Sequence, residues 1–215
     1  WLDGCKITMI NVIDHGTGNI ASINNFLERV NAQHQLASEP KSLEEASHII
    51  IPGVGHFASA MIKLKEQELD KAIIDAARRG VPILGICLGM QILYEYSEEG
   101  MSEGLGLMKG RVVKKVPSNI DRFKVPNVGW LSVERKKTSS LFQNINNEDS
   151  IFYFANSYAV KSDDQSDVTS TYSFDDEYVA HSEKENIYGT QFHPEKSGDV
   201  GHKLMQNFLN LGQRT

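Results

Sequence analysis

Apolar positions along this chain follow two rhythms, and their alternation in the first half predicts a parallel α/β fold. Residues 7–14 form an apolar, β-branched run that reads as a buried first strand. Gly16-Thr17-Gly18 breaks it. Ile20, Ile23, Phe26, Leu27 and Val30 then recur at helical spacing, with Asn19 placed as an N-cap. Residues 34–37 read as a short strand and 43–46 as a helical turn. Residues 48–51 read as a third strand, closed by Pro52-Gly53-Val54-Gly55. Helical patterns over 57–64 and 69–79, the second ended by Gly80, lead to a strand over 81–86. A further helix carrying Met90, Leu93 and Tyr94 follows. Strands alternating with helices imply a mostly parallel central sheet flanked by helices.

From Arg111 onward the rhythm changes. Short β-prone runs appear at 112–116, 129–133, 151–154, 168–172, 178–182 and 186–192, with few helical patterns between them. They predict antiparallel or mixed strands added to the parallel core in the C-terminal half. The polar, acidic stretch 162–167 reads as a hairpin tip. Val200, Leu204, Phe208 and Leu211 outline a closing amphipathic helix. There is no internal repeat or linker, so residues 9–215 are expected to form a single domain, with 1–8 an extension ahead of Met9.

Composition narrows the class. The 215 residues are 40% hydrophobic and 23% charged, with a formal net charge of −6. That balance gives no electrostatic footprint for nucleic acid. No apolar run approaches the roughly 20 residues of a membrane span, and residues 1–8 lack a signal peptide's basic start and long apolar core. Two cysteines, Cys5 and Cys87, make no disulfide framework and suit a reducing, cytoplasmic compartment. The histidines and cysteines are scattered without HxxxH or CxxC spacing, so no metal and no cofactor is expected.

The chemistry gathers at Gly85-Ile86-Cys87-Leu88-Gly89. A strand running into Gly-x-Cys-x-Gly and then a helix puts a cysteine on a sharp elbow, where Gly85 and Gly89 leave room for close packing. A helix N-terminus favours the thiolate form of such a cysteine. A small buried apolar cysteine is the competing reading. A nucleophile wants a histidine, and the histidine wants an acceptor to orient it. His193 stands in Gln191-Phe192-His193-Pro194-Glu195, where a predicted strand stops at proline, and Glu195 is near enough to orient it. His15 and His56 follow or adjoin loop glycines as possible pocket residues. His34, His48, His181 and His202 read as surface or structural.

GICLGMQ at 85–91, PGVG at 52–55 and QFHPEKSG at 191–198 resemble the class I, triad-type glutamine amidotransferases, and the resemblance runs from about residue 10 to 211. The family's nucleophile matches Cys87, its histidine His193 and its glutamate Glu195. The resemblance implies an oxyanion hole from the backbone of Leu88 and the Gly53-Val54 loop. It implies glutamine held by Gly55, Gln91, Glu99, Ser157 and Tyr158. Glu99 read alone is also a solvated charge. Because the chain has no acceptor domain, the resemblance further implies a separate (β/α)8-barrel synthase subunit that receives ammonia, with Asn127, Gly129 and Trp130 at that interface. Core packing is the competing reading for Trp130.

Three places depart from the family pattern. Pro-His-Met-Gly-Trp-Asn is here Pro126-Asn127-Val128-Gly129-Trp130-Leu131. Phe-Val-His-Ser-Tyr is Phe154-Ala155-Asn156-Ser157-Tyr158. Asp-Tyr-Gly is Asp14-His15-Gly16. None touches the triad, which leaves open a glutaminase subunit serving another acceptor, such as a sugar amidated for surface polysaccharide. A non-catalytic partner subunit is another reading, as is a different cysteine-elbow enzyme.

Overall fold

The apolar runs of the first half become neighbouring strands of one sheet in a computed structural model that describes residues 9–16 and 20–212. The expected extension over 1–8 and the Asn19 cap lie outside the described residues. In chain order the elements are β1 (Ile10–Ile13), α1 (Ile20–Arg29), β2 (His34–Ala37), β3 (His48–Ile51), α2 (Phe57–Glu66), α3 (Leu69–Arg78), β4 (Ile83–Ile86), α4 (Leu88–Ile92), β5 (Tyr94–Ser97), β6 (Ser102–Glu103) and β7 (Met108–Lys114). Then follow β8 (Asn127–Ser132), β9 (Glu134–Arg135), β10 (Ile151–Asn156), β11 (Tyr158–Ser162), β12 (Val168–Phe174), β13 (Asp176–Lys184), β14 (Ile187–Thr190) and α5 (Gly198–Leu209).

The main sheet has eight strands in the order β2-β1-β3-β4-β14-β13-β12-β9. Pairing is parallel from β2 to β14 and antiparallel from β14 outward. This is the mostly parallel sheet with a C-terminal antiparallel extension that the sequence rhythm predicts. Two smaller sheets, β11-β7-β5-β6 and β10-β8, complete it.

Alternation within the buried strands sorts the core onto two faces. Ile49 and Ile51 pack with Phe57, Leu64, Leu69 and Ile73 of α2 and α3. Ile50, Leu84 and Ile86 pack with Ile23 and Phe26 of α1 and Leu204 and Phe208 of α5. Each such aliphatic side chain stabilises the fold by roughly 1.5–3 kcal/mol.

Three local expectations are corrected. The helix after Cys87 ends at Ile92, and Tyr94 opens a strand instead. The Tyr94-Glu95-Tyr96-Ser97 alternation pairs with β7 and β6, which outweighs helical spacing. The 162–167 stretch is no hairpin tip: β11 pairs with β7 and β12 with β13, so it links two sheets, and Asp167 is buried. The turn expected over 43–46 is a 3-10 turn at Pro40–Leu43, set by proline at its start.

One buried charge was not foreseen. Lys115, just past β7, is 2% exposed. Its Nζ lies 3.9 Å from the centre of the Phe174 ring, 5.0 Å from Tyr172 and 5.3 Å from Tyr178, and it donates to the Tyr172 hydroxyl at 3.3 Å. The three rings offset part of the cost of desolvating an ammonium. Burial still lowers the amine from 10.5 to about 7.

Between those two values the unfolded chain holds a proton that the folded chain has released, so stability rises with pH across that window. Lys115→Met should remove this rise and stabilise the fold most at acidic pH. Thermal melts near pH 6 and pH 9 check it, with about 2–4 °C in Tm for each kcal/mol.

Candidate active site

Adjacent parallel strands bring the chemistry to one edge of the sheet. β3, β4 and β14 are neighbours, and their C-terminal ends deliver the 52–55 loop, Cys87 and the 191–195 segment respectively. Such an edge is where open α/β sheets form their crevices.

Cys87 sits between β4 and α4 with φ 54° and ψ −106°, a left-handed conformation for a residue with a side chain. Strain of this kind costs on the order of 1–3 kcal/mol and persists only where the surroundings enforce it. The surroundings here are close. The Cys87 N–H donates to the Thr190 carbonyl at 2.7 Å, and the Cys87 carbonyl accepts from the Gln91 N–H at 3.1 Å. A side chain at Gly89 would overlap the Ile51 carbonyl oxygen, so only glycine lets α4 approach β3. Gly53 is pressed as closely from the other side: a Cβ there would lie 2.5 Å from the Leu88 Cβ.

His193 reaches the same place from β14. Its N–H donates to the Tyr153 carbonyl at 2.8 Å. Ser197 Oγ donates to the His193 carbonyl at 2.6 Å and accepts from the Tyr153 N–H at 3.0 Å. The turn is thereby fixed to β10. Nδ1 of His193 pairs with Glu195 Oε1 at 2.9 Å, both side chains being almost wholly buried. Its Nε2 makes no hydrogen bond within ordinary limits and is left for the sulfur. Burial works against a charged ring here. The Cys87 thiolate and then the Glu195 carboxylate outweigh it and push His193 up from 6.5 to about 10. The three residues singled out from the sequence are therefore one buried constellation.

A cavity of about 170 Å³ opens beside Cys87, a size for a small molecule. All five residues expected to grip the substrate, Gly55, Gln91, Glu99, Ser157 and Tyr158, line it. Val54 and Leu88 line it too, whereas Gly53 is buried against the elbow. Glu99 is not a free surface charge. Its Oε2 accepts from the Phe57 N–H at 2.8 Å and so caps the first turn of α2. The Gln91 amide donates to the Tyr158 carbonyl at 3.0 Å and to Gln191 Oε1 at 3.1 Å, which leaves its oxygen for a ligand.

His15 and His56, considered as pocket residues, do not line this cavity. His15 is buried, and its Nε2 lies 2.6 Å from the Pro52 carbonyl, where it steadies the loop from behind. His48 and His181 are buried, as structural histidines should be.

Asn127 is buried and pairs with Asn156 across β8 and β10. Trp130 is 55% exposed, so core packing does not account for it. Its ring meets Tyr153 edge-on at 5.9 Å, and Tyr153 lies 6.4 Å from the His193 ring. Pro126, Ala155 and Asn156 also line the cavity. Gln191 and Ser197 were missed as individual residues. For Gln191 a signal existed: it stands two residues before His193 at a strand end, where alternate side chains share a face.

Residues 11–211 match the family model described as glutamine amidotransferase class-I. The chain belongs to that family. A Geobacillus sp. (strain WCH70) protein named imidazole glycerol phosphate synthase subunit HisH is 44% identical over 206 residues, covering 94% of this chain and 97% of its own. A Legionella pneumophila (strain Lens) protein named imidazole glycerol phosphate synthase subunit HisH 2 is 44% identical over 204 residues, covering 94% and 98%. Among solved structures, PurLQS from Thermotoga maritima superimposes with a TM-score of 0.73 at 22% identity, covering 94% of this chain and 98% of that one. A glutamine amidotransferase from the same organism gives 0.59 at 15% identity, covering 94% and 82%. These two likenesses show the amidotransferase fold.

The His193 assignment has a direct spectroscopic consequence. Because the folded value lies above 6.5, the bound proton contributes stability that is whole below about 6.5 and lost as pH rises through about 10. An NMR titration of His193 should show a midpoint near 10 in the native chain. Glu195→Gln should lower it, Cys87→Ala should lower it further, and the double variant should fall below the ordinary histidine value because burial then acts alone.

Proposed function

We propose that this chain is the glutaminase subunit of imidazole glycerol phosphate synthase. The observation that carries the reading is the buried Cys87, His193 and Glu195 constellation at the wall of a small cavity lined by all five expected glutamine contacts. Close relatives named as that subunit support it over nearly their full length.

In this reading the Cys87 thiolate attacks the side-chain amide carbon of glutamine. The tetrahedral oxyanion is held by backbone N–H groups of Leu88 and of the Gly53-Val54 loop. Each such donor is worth about 3 kcal/mol of barrier. His193 protonates the departing ammonia, and the carbon left on sulfur is a glutamyl thioester. His193 then takes a proton from water as the water oxygen attacks that carbon, and glutamate leaves. Glu195 fixes the ring so that Nε2 faces the sulfur. Glu99, with one oxygen capping α2, offers the other to the substrate's α-ammonium. Gln91, Ser157, Tyr158 and Gly55 hold the same end.

Ammonia then passes to a separate (β/α)8-barrel synthase subunit, whose phosphoribulosyl acceptor becomes imidazole glycerol phosphate and an aminoimidazole ribonucleotide in histidine biosynthesis. The face offered to that subunit is the β8 edge, where Val128 is 61% and Trp130 55% exposed. The work is placed in the cytoplasm, and among the described residues no helix is long and apolar enough to cross a membrane.

A second reading has one observation in its favour. The departures at Asn127, Val128, Leu131 and Asn156 cluster on the paired strands β8 and β10, and Asn156 lines the cavity itself. They fit a glutaminase subunit of the same kind that supplies a sugar-amidating enzyme.

Co-purification with the synthase subunit decides between them. The complex should convert glutamine to glutamate only with its acceptor present, and the isolated chain should show low basal activity. Cys87→Ala should cut glutamine-dependent synthesis by about 10⁴-fold or more while leaving synthesis from free ammonia intact. Retained glutaminase activity in Cys87→Ala would overturn the mechanism. Normal glutaminase activity with a sugar acceptor would favour the second reading.

A further inference from the structure

Gln191 is fully buried and stands idle in the mechanism above. Its Nε2 donates to Cys87 Sγ at 3.7 Å. Its Oε1 accepts from Gln91 Nε2 at 3.1 Å, and the same Gln91 nitrogen donates to the Tyr158 carbonyl at 3.0 Å. The Gln191 N–H donates to the Ala180 carbonyl at 2.8 Å, so the side chain leaves from a backbone fixed to β13.

This chain of bonds has one workable orientation. With its amide nitrogen serving the Tyr158 carbonyl, Gln91 can only donate to Gln191, so the oxygen of Gln191 must face Gln91 and its N–H groups must face the sulfur. An amide held in this way is a fixed donor that does not itself titrate. It sits beside the atom whose charge changes most during the reaction. The sulfur is negative before attack, neutral in the thioester, and negative again as the carbon–sulfur bond breaks. The far end of the chain, Gln91 and Tyr158, forms the cavity wall that a substrate touches.

We infer that Gln191 is a positioning residue that holds the Cys87 sulfur with a fixed N–H and links it, through Gln91, to the occupied wall of the cavity. The inference rests on the reading of Cys87 as nucleophile. In the hydrolytic step, water oxygen bonds to the thioester carbon and a water proton passes to His193. The carbon–sulfur bond breaks with its electron pair on sulfur, and the Gln191 N–H shares that charge without giving up its proton.

The test is the pH dependence of Cys87 alkylation by iodoacetamide in the purified chain, with glutaminase kcat and KM measured in the complex. Gln191→Met should move the alkylation midpoint up by about one pH unit, equivalent to a tenfold loss of thiolate below it. Its kcat should fall by roughly tenfold with KM within about twofold. Gln191→Glu keeps an acceptor for Gln91 but sets a carboxylate beside the sulfur, and should move the midpoint further up. In the native chain the Gln191 side-chain amide resonance should shift with the same midpoint as alkylation. A resonance flat across that range overturns the inference even if neither variant folds. So do folded variants with the native alkylation profile and native kcat. A native Cys87 that is unreactive at every pH would instead overturn the nucleophile reading.

Discussion

The site depends on a single backbone constraint: Cys87 is held at φ 54° between a strand and a helix. Left to itself, a residue with a side chain would relax from that conformation. It cannot, because Gly89 lies against the end of β3, Gly53 lies against Leu88, and the Cys87 N–H is tied to β14. The same three contacts that enforce the strain also set the distances of the site. They place the 52–55 loop beside the first N–H of α4, and they bring the strand carrying His193 alongside the strand carrying Cys87. Strain and preorganisation thus have one cause.

Charge is arranged around that constraint with little freedom. His193 is almost completely buried and is held up to about 10, which favours a charged ring beside the Cys87 sulfur, with Glu195 behind it. Two other groups have both a structural and a candidate binding role. Glu99 caps α2 with one oxygen, and Gln91 joins α4 to β11 and to Gln191. A substrate that engages either would act on the loop and the elbow directly. Tyr153 adds a path outward, since its carbonyl receives the His193 N–H while its ring meets the exposed Trp130. The apolar β8 edge is therefore one ring away from His193.

Much of this was legible in the sequence, and the limits are physical. Runs such as Ile49-Ile50-Ile51 and Ile83-Leu84 have the composition of strands buried on both faces, and the glycine and proline breaks between them are local signals. Cys87 and His193 were legible for the same reason, because strand ends at one sheet edge converge. The three candidate catalytic residues and the five cavity residues were expected from motifs in an order that resembles the family, and the structure brings them to one place. What stayed hidden depends on distant segments arriving. Tyr94 reads as the next residue of a helix until β7 pairs with it. Lys115 falls in the β-prone run 112–116 with no local sign of burial, until β12 and β13 place three rings around it. Ser197 looks like an ordinary residue before a helix, but it joins β10 to the His193 turn. Residue types do not show which polar groups face inward at a junction of three sheets.

The central claim is that Cys87 forms a covalent bond to the substrate carbon. The most direct measurement is to acid-quench the complex during turnover of glutamine and to map the modified peptide by mass spectrometry. The account predicts a glutamyl group on the peptide containing Cys87, absent without glutamine and absent in Cys87→Ala. Steady release of ammonia with no adduct trapped at any time, or an adduct on a different residue, would contradict it.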